Sequence, residues 1–320
     1  MIAFTNPAFL LHDTGQHPEH IMRMHAFGDI PVFDPDYDAL ALASKVHHKN
    51  YIREVREACA YVQSYLDGDT IVGPGSMQAA IAGVNATMLA AERGDFAIVR
   101  PPGHHAYPDH ASGFCLFNNI GIATSHYRSQ GKRVAILDFD GHLGDGTSHI
   151  FYEDDQVLFI SLHQYPAFPG KGTADEIGNA RGKGFTINVP LPPHSGDDIF
   201  LHGLKTFLPV VTQFKPDMIG LSAGFDAHQN DPLLQLNLSY DAFHKVGSAV
   251  RDQNIPSFAV LEGGYNLQEL PKCAASFLAG YNGRPSPYKQ AASASSRRCW
   301  EAYDINVHTS IGLLREYWRF

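Results

Sequence analysis

The sequence predicts an α/β protein in which helices flank both faces of one parallel sheet. Three observations lead to this prediction: short apolar runs without alternation, helix-compatible stretches between the runs, and polar clusters directly after them. Continuous apolar runs are typical of parallel strands buried on both faces, whereas strands with one wet face alternate. This rhythm of strand and helix extends from about residue 70 to about residue 280.

Each element is predicted from its own stretch of sequence. The strands are predicted at Phe96–Val99, Val134–Leu137, Val157–Leu162, Phe185–Val189, Met218–Leu221 and Phe258–Leu261. The helices are predicted at Tyr51–Leu66, Ser76–Glu92, Asn119–Gln130, Ile199–Gln213 and Tyr240–Gln253. Ser239 gives the last of these helices a side chain that can cap its first turn.

The chain divides into one main domain and a tail. An α/β domain of this length can form a single core, and we expect it to occupy residues 1–283. Residues 284–320 begin with a Ser-rich connector and end in a tail that can form a helix with Ile311, Leu314 and Trp318 on one face. That face is expected to pack on its own domain, with a subunit contact in a homo-oligomer as the alternative.

Composition excludes several classes of partner. The formal net charge is −9 and no Lys/Arg cluster is present, which argues against a nucleic-acid or anionic-membrane surface. The four cysteines lie far apart and form no CxxC motif, as is typical of reduced thiols in a cytoplasmic protein. No apolar run reaches transmembrane length. We therefore expect a cytoplasmic protein without nucleic-acid or membrane partners.

Polar clusters follow five of the predicted strands. They read "RPPGHHA", "DFDGHLGDG", "HQY", "GFDAH" and "EGGYN". The carboxyl ends of parallel strands open on one edge of a sheet, where α/β proteins bind ligands. The sequence therefore predicts one site built from all five clusters.

Two of these clusters carry a candidate metal site. Asp140 and His142 are separated by one residue at the end of an extended segment, so both side chains can leave it on the same side. Asp226 occupies the equivalent point after another strand and is the best third ligand. Two carboxylates and one imidazole suit Zn²⁺ or Fe²⁺ and leave a coordination position open. A lone Asp-x-His can equally be a hydrogen-bonded loop, and it is the combination with Asp226 that favours a metal.

Further candidate catalytic groups lie in the other clusters. His104 and His105 are adjacent imidazoles, and Asp138 and Asp145 are carboxylates left over after metal ligation that could orient them. Tyr265 follows two glycines that let the backbone approach a site closely, and its hydroxyl suits an oxyanion donor. On their own, the histidines could be polar loop residues and Tyr265 a packed aromatic residue.

With these residues the chain resembles a known family, the zinc-dependent histone deacetylases of the arginase/deacetylase fold. The resemblance is closest to the class II-like bacterial amidohydrolases. The matching stretches, in the order of the family, are "HPEHIMR" (17–23), "RPPGHHA" (100–106), "GFCLFNN" (113–119), "DFDGHLGDGT" (138–147), "SLHQYPAFPG" (161–170), "SAGFDAHQNDPL" (222–233) and "EGGYN" (262–266). They cover about residues 12–280, so the resemblance is highly specific. It implies a parallel sheet of about eight strands and a catalytic role for residues 1–283.

The resemblance also implies roles for single residues. It implies a metal held by Asp140, His142 and Asp226. It implies that His104 pairs with Asp138, and that His105 pairs with Asp145 and acts as the main general base and acid. It also implies that Tyr265 polarises the acyl carbonyl. Gly113 and Phe114, with Phe168 opposite, would line a narrow tunnel for an acyl-lysine stem. A structural K⁺ would be held, largely by backbone carbonyls, at Asp138, Asp140, His142, Ser161 and Leu162. Leu143 stands where the family usually has a second histidine, and we expect altered packing there with activity retained.

The favoured function is metal-dependent hydrolysis that removes acetyl or other acyl groups from lysine side chains. The first alternative is an acetylpolyamine or another small acylated amine as substrate, although polyamine-directed relatives carry a glutamate where this chain has Leu233. A second alternative is arginase-like chemistry on two metals, which needs Asp-x-Asp where this chain has Gly224 and Asp226. A third is an acyl-lysine binding protein without catalysis, which would require a missing catalytic group.

Overall fold

The computed structural model describes all 320 residues, which form nine strands and eleven α-helices. The strands are β1 (Ala3–Phe4), β2 (Ser64–Tyr65), β3 (Ile71–Val72), β4 (Phe96–Ala97), β5 (Val134–Asp138), β6 (Val157–Gln164), β7 (Thr186–Leu191), β8 (Met218–Ala223) and β9 (Ser257–Leu261). The helices are α1 (Met22–His25), α2 (Ala39–Ala43), α3 (Lys49–Ala58), α4 (Ser76–Arg93), α5 (Asn119–Arg128), α6 (Asp145–Phe151), α7 (Asp197–Phe207), α8 (Pro209–Phe214), α9 (Tyr240–Arg251), α10 (Leu270–Tyr281) and α11 (Arg297–Leu314). Two short 3₁₀ turns lie at Pro7–Leu11 and Ala180–Gly182.

Seven strands form one parallel sheet in the order β1-β4-β9-β8-β5-β6-β7. The predicted α/β fold class is confirmed, and all six predicted strands are present. The sheet has seven strands where about eight were expected, and the seventh is the two-residue β1 at one edge, a segment too short to carry a strand pattern. The central strands β5, β6, β8 and β9 are buried along their whole length, as is typical of a parallel sheet covered on both faces.

Helices cover both faces of the sheet. One group consists of α2, α4, α5 and α6, which pack on one another and on β4, β5, β6, β8 and β9. The other group consists of α7, α8, α9 and α10, with α7 against β6 and β7. Ser239 caps α9 by accepting a hydrogen bond from the backbone N–H of Asp241, as predicted. None of the helices combines the length and apolar character that crossing a membrane needs.

Two predicted helices have the wrong bounds. The helix predicted at Tyr51–Leu66 is wrong in its second half, because α3 ends at Ala58 and the chain then forms a β2–β3 hairpin. An Asp-Gly-Asp turn closes this hairpin, and Asp67 accepts hydrogen bonds from the backbone of Asp69 and Thr70. The helix predicted at Ile199–Gln213 is split into α7 and α8, because Pro209 has no N–H to continue the first helix and starts the second.

The C-terminal helix α11 lies along the edge strand β7. Its buried side chains are Tyr303, Val307, Ser310 and Leu314. Asn306 donates a hydrogen bond to the carbonyl of Pro190 (3.0 Å) and Ser310 donates one to the carbonyl of Asn188 (3.2 Å). These contacts satisfy backbone groups at an edge that would otherwise be open for strand pairing.

The connector before α11 is held against the N-terminus of α7. The hydroxyl of Ser293 donates to Asp197 (3.2 Å), while the backbone N–H of Ser295 donates to Asp198 (2.9 Å). The tail therefore packs on its own chain. Of the predicted apolar face, Leu314 is buried, Ile311 is half-buried and Trp318 lies beyond the end of α11. A contribution of the tail to a homo-oligomer stays a prediction.

Candidate active site

The carboxyl ends of five parallel strands bring the predicted site residues to one edge of the sheet. Residues from four of these ends converge: His104 and His105 after β4, Asp138, Asp140 and His142 at the end of β5, Asp226 after β8, and Tyr265 after β9. The fifth end, after β6, leads into the loop that carries Phe168. The apolar run of β5 is buried core, and its charged continuation is the floor of a cleft.

Asp140, His142 and Asp226 form one buried cluster. Their ligand atoms all lie within 4.8 Å of one another. The Nδ1 atom of His142 lies 2.8 Å from Oδ2 of Asp226 and 3.3 Å from Oδ1 of Asp140. The other carboxylate oxygens accept backbone hydrogen bonds of 2.7 Å, from Gly141 for Asp226 and from Gly263 for Asp140. The backbone thereby fixes both carboxylates and turns one oxygen of each toward the imidazole.

The charge balance of this cluster fits a divalent cation. Burial opposes a charge on His142, yet Asp226 and Asp140 outweigh it and raise the pKa of His142 to about 10. Two buried carboxylates facing one imidazole thus leave excess negative charge, which is costly in a protein interior unless a cation balances it. Oxygen and nitrogen donors of this kind suit Zn²⁺ and Fe²⁺. These three residues could therefore hold such an ion.

Two glycines make room for the carboxylates. A Cβ at Gly224 would overlap the side chain of Asp140, and a Cβ at Gly263 would lie 2.6 Å from Oδ2 of Asp140. Because position 224 has no room for any side chain, an Asp-x-Asp pair ending at Asp226 does not fit this backbone. The cluster is therefore suited to a single ion.

Two histidine–aspartate pairs lie beside the cluster. His104 Nδ1 is 3.1 Å from Oδ2 of Asp138, and His105 Nδ1 is 2.7 Å from Oδ1 of Asp145. Burial disfavours a charge on His104, but Asp140 and Asp138 together outweigh it and raise the pKa of His104 well above its usual value. Burial, followed by the neighbouring His104, lowers the pKa of His105 to about 4. One histidine of the pair therefore favours the charged form and the other the neutral form.

Of these two pairs, His105 lines a cavity of about 240 Å³. Its lining residues are Asp69, His105, Gly113, Phe114, His142, Phe168, Leu233 and Tyr265. Phe168 packs edge to face on His105 with ring centroids 5.0 Å apart, and Phe114 packs in the same way on Tyr265 at 5.8 Å. A larger groove of about 790 Å³ lies elsewhere, beside α11, and touches none of the strand-end carboxylates. The smaller cavity is therefore the candidate active site.

Comparison with known proteins places this geometry in a family. Residues 23–281 match the family model described as the histone deacetylase domain. The chain belongs to the histone deacetylase family. The resemblance of the sequence motifs to this family is thereby confirmed.

Individual relatives support the assignment over most of the chain. A probable deacetylase of Methanothermobacter thermautotrophicus is 37% identical over 310 residues, which cover 91% of this chain and 94% of the relative. An acetylpolyamine amidohydrolase of Burkholderia pseudomallei is 32% identical over 307 residues, which cover 82% of this chain and 90% of the relative. The crystal structure of the HDA15 HD domain superposes with a TM-score of 0.89 at 28% identity and covers 99% of this chain and 97% of that domain.

Other residues singled out from the sequence also lie at or beside the site. Leu233 lines the cavity, and Leu143 is buried close to Gly172, where an added Cβ would lie 2.9 Å from the leucine side chain. Ser161 and Asp138 are register partners on β6 and β5, and Asp138 accepts a hydrogen bond from the backbone N–H of Asp140 (3.1 Å). Leu143 is therefore packed beside the site, and the expectation that activity is retained with a leucine there stays a prediction.

Sequence reasoning missed three polar residues of the site. Glu262 is fully buried and accepts hydrogen bonds from the backbone of Gly103 (2.7 Å) and His104 (3.1 Å), and burial raises the pKa of Glu262 to about 7. Its place directly after β9 was a usable signal. Asp69 lies in the β2–β3 turn and Tyr107 beside the His105 pair, and neither carried a motif that could have revealed it.

Proposed function

We propose that this histone deacetylase family member is a metal-dependent amide hydrolase that removes acetyl or other acyl groups from lysine side chains. The observation that carries the proposal is the shared cavity: His105 and Tyr265 face the same 240 Å³ space as His142 of the metal-suited cluster. A base, a hydroxyl donor and a metal ligand around one space are what hydrolysis of an amide needs.

Asp140, His142 and Asp226 would hold the ion, which we propose to be Zn²⁺, with Fe²⁺ as the alternative. Such an ion supplies Lewis acidity toward the acyl carbonyl and the attacking water. The fit rests on the donor set, on the two carboxylates fixed by Gly141 and Gly263, and on their excess negative charge.

His105 would act as general base and then as general acid. Asp145 accepts the Nδ1–H of His105, which leaves Nε2 free to take a proton from water and to return it to the leaving amine. The lowered pKa of His105 keeps the ring neutral before reaction, as a base requires. His104, hydrogen-bonded to Asp138 and with a raised pKa, would remain charged and stabilise negative charge beside the reacting carbonyl.

Tyr265 would donate a hydrogen bond to the carbonyl oxygen as negative charge develops there. Burial raises the pKa of Tyr265 well above its usual value, so the hydroxyl keeps its proton. Arg23 steadies this residue, because its guanidinium lies 5.1 Å from the Tyr265 ring centroid and donates to the carbonyl oxygens of Glu262 (2.6 Å) and Gly264 (2.8 Å).

Gly113, Phe114 and Phe168 would line the tunnel for the acyl-lysine stem. A Cβ at Gly113 would lie 2.5 Å from the His105 ring and 3.0 Å from Phe168, so a larger residue would close the passage. Its φ of +52° also favours glycine. The two phenyl rings give the aliphatic stem apolar walls.

A small acylated amine is the second candidate substrate. Asp69 places a carboxylate on the cavity lining, where it would favour a cationic amine, and one relative is an acetylpolyamine amidohydrolase. Leu233 argues the other way, because an apolar residue on the lining offers a polyamine no charge partner. We therefore keep lysine side chains as the favoured substrate.

A structural K⁺ is proposed from the family resemblance. Its ligands would be largely backbone carbonyls of Asp138, Asp140, His142, Ser161 and Leu162. The adjacency of β5 and β6 supports this placement, since Asp138 pairs in register with Ser161.

The test compares deacylation of acetyl-lysine peptides with that of N-acetylated polyamines by protein loaded with Zn²⁺ or Fe²⁺. We expect peptide turnover that disappears in Tyr265→Phe and in His105→Ala while both variants still bind the metal. Turnover restricted to polyamines would overturn the lysine assignment. Absence of turnover on either class, or unchanged rates in both variants, would overturn the proposed chemistry.

A further inference from the structure

Tyr107 extends the His105 pair away from the cavity. Its hydroxyl donates a hydrogen bond to Oδ2 of Asp145 (2.9 Å), while Oδ1 of the same carboxylate accepts from His105 (2.7 Å). Tyr107 is 7% exposed and does not line the cavity. Both oxygens of Asp145 are thus held, one by the base and one by Tyr107, and the carboxylate cannot rotate without losing a bond.

Lys171 donates a second hydrogen bond to the hydroxyl of Tyr107. Its ammonium donates to the Tyr107 oxygen (2.9 Å) and lies 5.2 Å from the ring centroid. The hydroxyl therefore accepts from Lys171 and donates to Asp145, which gives one continuous chain of hydrogen bonds from a surface lysine to the base. Lys171 also lies outside the cavity lining.

Lys171 belongs to the loop that forms one wall of the cavity. This loop follows β6, and it also carries Phe168, whose ring packs on His105 at 5.0 Å. The loop therefore touches the His105–Asp145 pair twice, directly through Phe168 and indirectly through Lys171 and Tyr107. A shift of the wall would move both contacts together.

Contacts on the ring and on the backbone hold Tyr107 in place. Its ring stacks on His110 with centroids 4.3 Å apart and planes at 16°. Its backbone N–H donates to the carbonyl of His110 (3.0 Å), and its carbonyl bonds Nδ1 of His47 (2.9 Å). Because these contacts hold the phenol independently of Asp145, its hydroxyl can determine the orientation of the Asp145 carboxylate.

We infer that Tyr107 and Lys171 are positioning residues that orient the Asp145–His105 pair and couple it to the cavity wall carrying Phe168. The inference rests on the proposed function, because it assigns His105 the role of base. Neither residue contacts substrate in this scheme, and both act through Asp145. They should therefore affect kcat and leave KM nearly unchanged.

The kinetic test uses four variants of the metal-loaded enzyme with the acetyl-lysine peptide. Tyr107→Phe removes only the hydroxyl and should lower kcat by about 10-fold, the usual effect of losing an outer hydrogen-bond partner. Lys171→Met should lower kcat less, and Lys171→Arg should restore part of that loss. In the double variant Tyr107→Phe/Lys171→Met, removal of the lysine should cost nothing further, because its partner hydroxyl is already gone.

Lys183→Met is the matched control, since Lys183 is exposed and forms no ion pair. It should leave both kinetic constants unchanged, and thermal melting should show that all variants fold. Unchanged kcat in Tyr107→Phe, additive losses in the double variant, or a raised KM with unchanged kcat in Lys171→Met would each overturn the inference.

A second measurement does not depend on turnover. The Nδ1 proton of His105, hydrogen-bonded to Asp145, should give a downfield proton NMR resonance that is identified by its loss in His105→Ala. Tyr107→Phe and Lys171→Met should shift or broaden this resonance, and Lys183→Met should leave it in place. An unmoved resonance would overturn the inference even if the protein proved inactive on every amide, so this failure is distinguishable from failure of the proposed function.

Discussion

Gly224 and Gly263 determine how closely the carboxylates of the metal-suited cluster can approach. A methyl group at position 224 would overlap Asp140, which is one of the three proposed ligands. Gly224→Ala should therefore displace that carboxylate and weaken Zn²⁺ binding by at least roughly 10-fold, the lower range for disturbed metal sites. Competition with a chromophoric chelator measures the affinity.

Gly312→Ala is the control for this substitution, because nothing lies within 4 Å of a Cβ placed there. Gly312 is inside α11, so the alanine should leave Zn²⁺ binding unchanged and stabilise the helix slightly. Equal Zn²⁺ affinities in Gly224→Ala and the wild type would show that Asp140 is not a ligand.

Tyr265 has a separable chemical role in the proposed reaction. Tyr265→Phe keeps the ring that packs on Phe114 and removes only the hydroxyl that would face the oxyanion. Loss of one such donor typically lowers kcat by roughly 10²–10³-fold, and we expect a loss of that order with little change in KM. Steady-state kinetics give both constants. Tyr61→Phe, at an exposed position, should have no effect, and similar kcat values for the two variants would contradict the oxyanion role.

The ends of the strands were the most predictable elements. All strands from β4 to β9 except β7 contain a short apolar run, and the change to polar residues and glycine beyond the run marks where the chain enters the cleft. This change in residue type is enough to locate Asp140, Asp226 and Tyr265 in the sequence. The physical reason is that burial on both faces disfavours polar residues within a central strand, so most polar side chains gather at its end.

Other elements were not predictable, because their causes are not local. Asp69 reaches the cavity only because the segment after α3 forms a hairpin, and the apolar residues there fit a helix equally well. Tyr107 and Lys171 are 64 positions apart and form a pair only through the fold. The split at Pro209 differs from these cases, because its cause, a proline that cannot continue a helix, is local and present in the sequence.

Helix α11 should contribute to stability through one face only. Leu314 is fully buried against the domain, whereas Ile305 on the same helix is 69% exposed. Leu314→Ala should lower the free energy of unfolding by about 2–5 kcal/mol, and Ile305→Ala should change it by about 0.5 kcal/mol or less. Urea denaturation measures both. Equal effects would mean that α11 does not pack on β7 in solution.

On the scale of the whole molecule, a buried ionic cluster joins three distant segments. Glu19 accepts hydrogen bonds from Arg23 (3.1 Å) and Arg100 (2.7 Å), and all three side chains are almost fully buried. Arg23 also donates to the loop after β9, and Arg100 follows β4. These ion pairs and hydrogen bonds connect the N-terminal segment to the loop that carries Tyr265.

Buried neutral histidines should make stability fall in mild acid. His47 bonds the carbonyl of Tyr107 through Nδ1 and accepts the N–H of Asn118 at Nε2 (2.9 Å), so protonation would destroy the second bond. Burial lowers the pKa of His47 from 6.5 to about 4. The unfolded chain therefore binds more protons within this window, and the stability contributed by neutral His47 is complete above pH 6.5 and lost as pH falls toward 4.

His47→Gln should flatten this part of the stability profile. The lowered pKa of His47 corresponds to about 3 kcal/mol in the free energy of unfolding. Between pH 6.5 and about pH 4 the wild type should lose this contribution, and His47→Gln should not. Urea midpoints at a series of pH values measure the slope. His12 and His163, whose pKa values burial also lowers to about 4, stay in both proteins and cancel in the comparison. Parallel profiles would show that His47 does not stay neutral in the folded state.

Glu19 should control stability in a lower and separate pH window. Burial opposes its charge, but Arg100 and Arg23 outweigh burial and lower the pKa of Glu19 from 4.5 to about 2. The folded state thus favours the carboxylate, and its contribution is present above pH 4.5 and is lost as pH falls toward 2. At neutral pH, Glu19→Gln leaves two buried guanidinium groups without a counter-charge and should cost roughly 3–5 kcal/mol.

The matched control is Glu57→Gln, which makes the same chemical change in an exposed ion pair with Arg53 and should cost roughly 1 kcal/mol or less. Below pH 4.5 the stability of the wild type should approach that of Glu19→Gln, because protonation of Glu19 removes the same charge. A neutral-pH cost for Glu19→Gln no larger than for Glu57→Gln would mean that the buried cluster does not fasten the N-terminal segment. The lower acid window would then have to be assigned to groups other than Glu19.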